Sequence, residues 1–253
     1  MTKTQNKQSG FTLVELAIVM IIIGLLIGGI LKGQELISNA RVAATVSQIK
    51  GIDAAVNTFF EAYDALPGDI QNPSTRIPNC TATPCSQTGN GNGQIGTEPG
   101  AGAAITTENV TAWANLSAAD VLGGVRPNAA ALNPGEAFPT AEVPGSSIVM
   151  GYSAGTLTLS NVPAASIRAG HYVLISNARS AALAAGGVSL TPSVAFRIDS
   201  KMDDGRPNTG SVLGAGAGAA TTAGNCKDTT TVAAVYNEAL PSTECAIYAR
   251  IGG

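Results

Sequence analysis

The sequence predicts an α+β protein: a long N-terminal helix, first membrane-spanning and then amphipathic, followed by a domain built on an antiparallel sheet. Three observations carry that expectation. An almost uncharged run fills residues 11–31, an apolar pattern of three- and four-residue steps continues to Tyr63, and short β-rich runs recur in the C-terminal half. The expected divisions are a leader at 1–10, a helix over 11–63 with its transmembrane part at 11–31, and an extracytoplasmic globular domain over 64–253.

The run FTLVELAIVMIIIGLLIGGIL, Phe11 to Leu31, holds one charged side chain, Glu15. As a helix it is about 31 Å long, close to the ~30 Å hydrocarbon core of a bilayer. A secretory signal peptide has a shorter apolar region followed at once by a small-residue cleavage site. Here a polar stretch, MTKTQNKQSG, comes first and ends in Gly10. Flanking charge weakly favours a cytoplasmic N-terminus, because Lys3 and Lys7 compete with Lys32, Arg41 and Lys50 beyond the span.

A carboxylate within a spanning helix costs ~2.5–3.5 kcal/mol on insertion scales, so Glu15 calls for a cation. Cleavage after Gly10 would create an α-amine on Phe11, one helical turn before Glu15. In a helical array of subunits the amine of one copy meets the carboxylate of its neighbour, which neutralises both and sets the axial register. The plainer alternative is that Glu15 snorkels to the interface and does no more.

Lys7-Gln8-Ser9-Gly10 followed by Phe11-Thr12-Leu13-Val14-Glu15 resembles the class III leader of type IV prepilins and type II secretion pseudopilins. The resemblance covers about the first 40 residues. It implies a pilin-like fold, cleavage between Gly10 and Phe11 by a prepilin peptidase, and N-methylation of Phe11. It also implies assembly of Glu15-bearing subunits into a filament, drawn from the inner membrane by a machine with a cytoplasmic ATPase. The domain would be periplasmic before assembly, and the filament periplasmic or extracellular. A single-pass anchored binding or adhesion module that never polymerises is the alternative.

Beyond the span, Leu36, Ala40, Ala43, Val46, Ile49, Ile52, Val56, Phe59 or Phe60 and Tyr63 mark one apolar face, ended by Pro67-Gly68. Such a helix is roughly 80 Å long. Its first half is expected to pack against neighbouring subunits and its second against its own domain. Gly24, Gly28, Gly29 and Gly33 allow close helix approach in lipid, and each lowers helix propensity by ~1 kcal/mol.

Leu66-Pro67-Gly68-Asp69 reads as a turn, and it also looks like the segment that follows the helix in many pilin-like proteins. Residues 87–104 read as a surface loop, and 106–122 as a helix with Val110, Trp113 and Leu116 on one side. Strands are expected at 147–152, 156–160, 171–176, 193–199 and 246–251. The run Gly214-Ala215-Gly216-Ala217-Gly218-Ala219 matches a dinucleotide fingerprint in form only; without a long strand before it and an amphipathic helix after it, it reads as a flexible loop.

Four cysteines suit disulfides in an oxidising compartment. Cys80 and Cys85 are close enough to bound a small loop, which leaves Cys226 with Cys245; the two other connectivities stay open. The resemblance supports the second pairing, since a C-terminal disulfide-bounded loop recurs among pilins. With one histidine, His171, and no second CxxC, zinc is disfavoured. Asp199, Asp203 and Asp204 offer oxygen ligands for calcium, in a stretch resembling an acidic turn of some pseudopilin-like proteins. The spacing is not that of an EF-hand, and a hydrogen-bonded turn is the plainer reading.

A net charge of −3 with only 12% charged residues excludes a basic field for nucleic acid. No GxSxG or HExxH is present, so no enzyme and no cofactor is expected.

Overall fold

In the computed structural model, residues 12–99, 104–155, 162–177, 187–216, 226–228 and 231–252 are described. Helix α1 runs unbroken from Leu13 to Tyr63. The described residues fall into two compact units divided between Arg41 and Val42, so α1 from Val42 onward belongs to the globular unit.

Within that unit α1 buries Val42, Thr45, Val46, Ile49, Ile52, Ala55, Val56 and Phe59. Within this unit the predicted stripe needs one correction, and the choice between Phe59 and Phe60 is resolved. Ala43, expected on the apolar face, is exposed, while Val42 and Thr45 occupy it. Adjacent helical residues lie about 100° apart, and the larger Val42 takes the inward position. Phe59 is buried and stacks 4.6 Å from Tyr63, leaving Phe60 exposed. Gln48 donates to the Thr140 carbonyl at 2.7 Å, and Asp53 accepts from the Gly252 N–H at 2.7 Å, so the helix is tied to both a mid-chain loop and the C-terminus.

After α1 come α2 (Pro73–Arg76), α3 (Glu108–Ala118), β1 (Ser147–Ser153), β2 (Gly170–Ser176), α4 (Pro192–Met202), β3 (Val212–Gly216) and β4 (Cys245–Ile251). The strands form one antiparallel sheet in the order β1-β2-β4-β3. Ile148 faces Ile175 across β1 and β2, and Leu174 faces Tyr248 across β2 and β4. Nearly every residue of β1 and β4 is buried, so continuous apolar runs such as Ala246-Ile247-Tyr248 serve where strict alternation is not needed. An α+β, pilin-like architecture results.

α3 is shorter than expected and is buried on almost all sides rather than along one. Its polar residues are consumed internally: Asn109 donates to the Met150 carbonyl on β1 at 2.8 Å, which ties helix to sheet. The approach is close at Gly151, where a Cβ would stand 2.2 Å from the Thr97 carbonyl oxygen.

The strand expected at 193–199 is instead helix α4. Val194, Phe196 and Ile198 alternate like a strand, yet Ala195, Ile198, Asp199 and Met202 lie on one helical face. The start signal decides the matter. Thr191 accepts from the Val194 N–H, Pro192 fills the first turn, and Leu190 has just been fixed by backbone bonds to Cys245 at 2.9 Å.

Part of the Gly/Ala tract read as a flexible loop is strand β3, with Gly214, Ala215 and Gly216 paired to Ile247, Ala246 and Cys245. Small residues are required there: a Cβ on Gly214 would lie 2.7 Å from the ring of Tyr236 and 2.8 Å from Pro207. Residues 217–219 of that tract, and the strand expected at 156–160, lie outside the described residues.

Candidate functional site

The N-terminus of α1 is closed by its own side chains. Thr12 Oγ1 accepts from the Glu15 N–H at 3.3 Å, and Glu15 Oε2 accepts from the Thr12 N–H at 2.9 Å and from its hydroxyl at 3.0 Å. This reciprocal pair is a capping box, with threonine at the N-cap and glutamate three residues on. The signal is present in the sequence as Thr-x-x-Glu, Thr12 to Glu15. Glu15 thus has a partner within one chain, in the turn where the helix dipole also favours a negative charge. The expected cleavage residues Gly10 and Phe11 lie outside the described residues.

Downstream of this box the side chains from Leu13 to Ile37 present an exposed apolar surface, including Ile18, Ile22, Leu25 and Ile30. The helix is long and apolar enough to cross a membrane. A Cβ added to Gly24, Gly28, Gly29 or Gly33 would meet nothing within 4 Å, so in a single chain these glycines have no packing partner among the described residues. Lys32 pairs with Glu35 at 2.7 Å, an exposed ion pair one turn apart just past the bilayer-length run.

Residues 5–31 match the prokaryotic N-terminal methylation motif. The chain carries a prepilin-type leader. The match covers the N-terminal segment and the apolar first part of α1, and none of the globular unit. Comparison of the whole chain with curated proteins and with solved structures returned no match.

The Leu66-Pro67-Gly68-Asp69 turn after α1 proves to be an anchor for residues 87–99. Asp69 Oδ1 accepts from the N–H groups of Gly91 (2.6 Å) and Asn92 (3.1 Å), and its Oδ2 from that of Gly93 (2.7 Å). Glu108 holds the Asn90 and Gly96 N–H groups, each at 2.9 Å. Asn115 of α3 accepts from the Gly68 N–H at 2.8 Å and donates to the Cys85 carbonyl at 3.0 Å. The stretch expected as a plain surface loop is therefore pinned by carboxylates, and it buries Ile95 completely. Sequence reading missed Asp69, Glu108 and Asn115, because nothing local links an acid to glycines some twenty residues away.

The structure joins Cys80 to Cys85 and Cys226 to Cys245, with Cα separations of 5.2 and 4.8 Å. His171 stands in β2, and its Nε2 accepts from the Ile95 N–H at 3.3 Å. Burial lowers its pKa.

Asp199, Asp203 and Asp204 converge, with ligand-capable oxygens within 4.8 Å of one another. Asp199 lies in α4 rather than in a strand and is fully buried; burial pushes its carboxyl up to about 7, against the lowering effect of the bond that Tyr236 Oη donates at 2.8 Å. Asp203 accepts from the N–H groups of Ser211 and Val212, and Asp204 from the Arg206 N–H and the Thr209 hydroxyl. These are the contacts of the hydrogen-bonded turn that the sequence offered beside a calcium loop. They couple the end of α4 to the start of β3.

Proposed function

We propose that this chain is a structural subunit of a type IV pilus-like or type II secretion pseudopilus filament. It is cleaved after Gly10 and methylated on Phe11 by a prepilin peptidase. It rests as a single-pass inner-membrane protein with its globular domain in the periplasm, and is then polymerised by inner-membrane machinery with a cytoplasmic ATPase.

The observation that carries this reading is a methylation motif at residues 5–31 continuous with a helix whose apolar side chains are exposed from Leu13 to Ile37. A lone bilayer anchor also needs that apolar surface and could use the Thr12–Glu15 cap, so the methylation motif is what favours a filament subunit. In the single chain the capping box with Thr12 holds the Glu15 carboxylate ready. In the filament the Phe11 amine of a neighbouring subunit adds the cation, so processing creates the group that assembly uses.

The test is Glu15→Ala in cells that express the complete assembly machinery. The variant is expected in the membrane fraction, with its leader removed, and missing from sheared polymers. A variant that appears in polymers at the wild-type level would defeat the filament reading and favour an anchored binding module.

A further inference from the structure

Lys227 is only 5% exposed, in the segment that leaves the Cys226–Cys245 disulfide. Buried lysines are normally paired with a negative charge. Among the described residues this one meets no carboxylate at ion-pair distance. Its Nζ instead donates to two neutral oxygens, Asn208 Oδ1 at 2.5 Å and the Gly214 carbonyl at 2.9 Å. Neither the leader nor the filament reading uses this group.

Asn208 is fully buried, and its Nδ2 donates to the Thr231 carbonyl at 2.6 Å. The carboxamide is thus held at both ends, with its oxygen toward the amine. Since a C=O bond is about 1.23 Å long, Asn208 Cγ lies within about 3.7 Å of Lys227 Nζ. That places the amine in contact with the carboxamide, on the oxygen side of its C=O bond. Burial also lowers the amine's pKa to about 7, so an unprotonated, nucleophilic form is populated at neutral pH. Gly214 closes the other side: a Cβ there would lie 2.7 Å from the Tyr236 hydroxyl, so the cluster is walled by an aromatic ring and shielded from water.

We propose that Lys227 and Asn208 join in an intramolecular isopeptide bond. The Nζ lone pair attacks Asn208 Cγ, and the C–N bond to Nδ2 then breaks. Nδ2 leaves as ammonia, carrying a proton that originated on Nζ. One amide replaces another, so the step is redox-neutral and needs no co-reactant. The product ties the turn before β3 to the C-terminal disulfide loop. Residues 208 to 227 then lie within a covalent ring adjoining the Cys226–Cys245 ring, and β3 cannot be peeled from β4 without breaking covalent bonds.

The test is mass spectrometry on the full chain, purified from membranes and reduced. The wild type is expected to weigh one ammonia less than its processed sequence requires, whereas Lys227→Met and Asn208→Ala each show their full calculated mass. A tryptic digest should yield one branched peptide containing both residues, with no cleavage after Lys227. The proposal is overturned if wild type has its full mass, or if ammonia is lost while Lys227 remains cleavable by trypsin, the sign of a succinimide at Asn208. Because the decisive measurement is on the wild type, a variant that fails to fold does not blur the result.

Discussion

Asp199 shows how one buried side chain imposes a pH dependence on the domain. Its carboxyl titrates near 3.8 when unfolded and at about 7 when folded, chiefly because burial penalises the charged form. The folded state therefore holds the proton more tightly. The stabilisation from this group is complete below pH ~3.8 and is lost as pH rises through about 7. His171 acts in the opposite sense, since its lowered pKa favours the neutral folded form and costs stability as pH falls below 6.5. Comparison of wild type with Asp199→Asn isolates the first effect. Denaturant unfolding of the detergent-solubilised full chain should show the variant gaining stability relative to wild type between pH 4 and 7; parallel curves would refute the assignment. At Glu15, by contrast, Thr-x-x-Glu is legible as a capping box in four residues of sequence, because both partners lie within one turn.

Among elements, α4 is where local pattern and actual structure part. An alternating stretch became helical because Leu190 is bonded to β4, Thr191 caps the next turn and Pro192 opens it. Thr191→Ala should then cost ~1 kcal/mol, with the loss visible as a lower denaturation midpoint at unchanged slope. No change in midpoint would show that the cap contributes nothing. β3 went unseen for a related reason. Glycine and alanine have low strand propensity, and Val212–Gly216 is a strand because β4 supplies the hydrogen bonds and Tyr236 with Pro207 leaves no room for larger side chains. α1 was the easiest element to read, since a bilayer-length apolar run passes into an apolar stripe sustained from Leu36 to Tyr63, which averages out local exceptions such as Ala43.

For the whole molecule, the two disulfides lie at different depths of the topology. Cys80–Cys85 spans 5 residues within one loop, whereas Cys226–Cys245 spans 19 and includes Tyr236, whose hydroxyl reaches Asp199 on α4. Loop-closure entropy puts the first at about 2 kcal/mol and the second at about 3 kcal/mol. Replacing both members of each pair by alanine should therefore destabilise the chain more at 226/245 than at 80/85, as read by denaturant unfolding. The reverse order would mean that local packing around Asn115, which contacts Cys85, outweighs the longer loop. The core that these bonds secure is shared by the second part of α1, α3 and the sheet, and Trp113, Phe59 and Tyr248 are fully buried in it.

The sequence by itself determined the leader, the span and its continuation as one helix. Each is written in contiguous residues: a glycine-phenylalanine junction, a bilayer-length run with a single charge, a stripe of three- and four-residue steps ended by Pro67-Gly68. It also limited the pairing of four cysteines to three choices. Only the tertiary structure decided that Asp69 would gather Gly91, Asn92 and Gly93, that Asn115 would bridge two turns, and that Lys227 would be shut away against Asn208. Those contacts join residues 19 to 47 positions apart, and their strength comes from the exclusion of water that the assembled core alone provides.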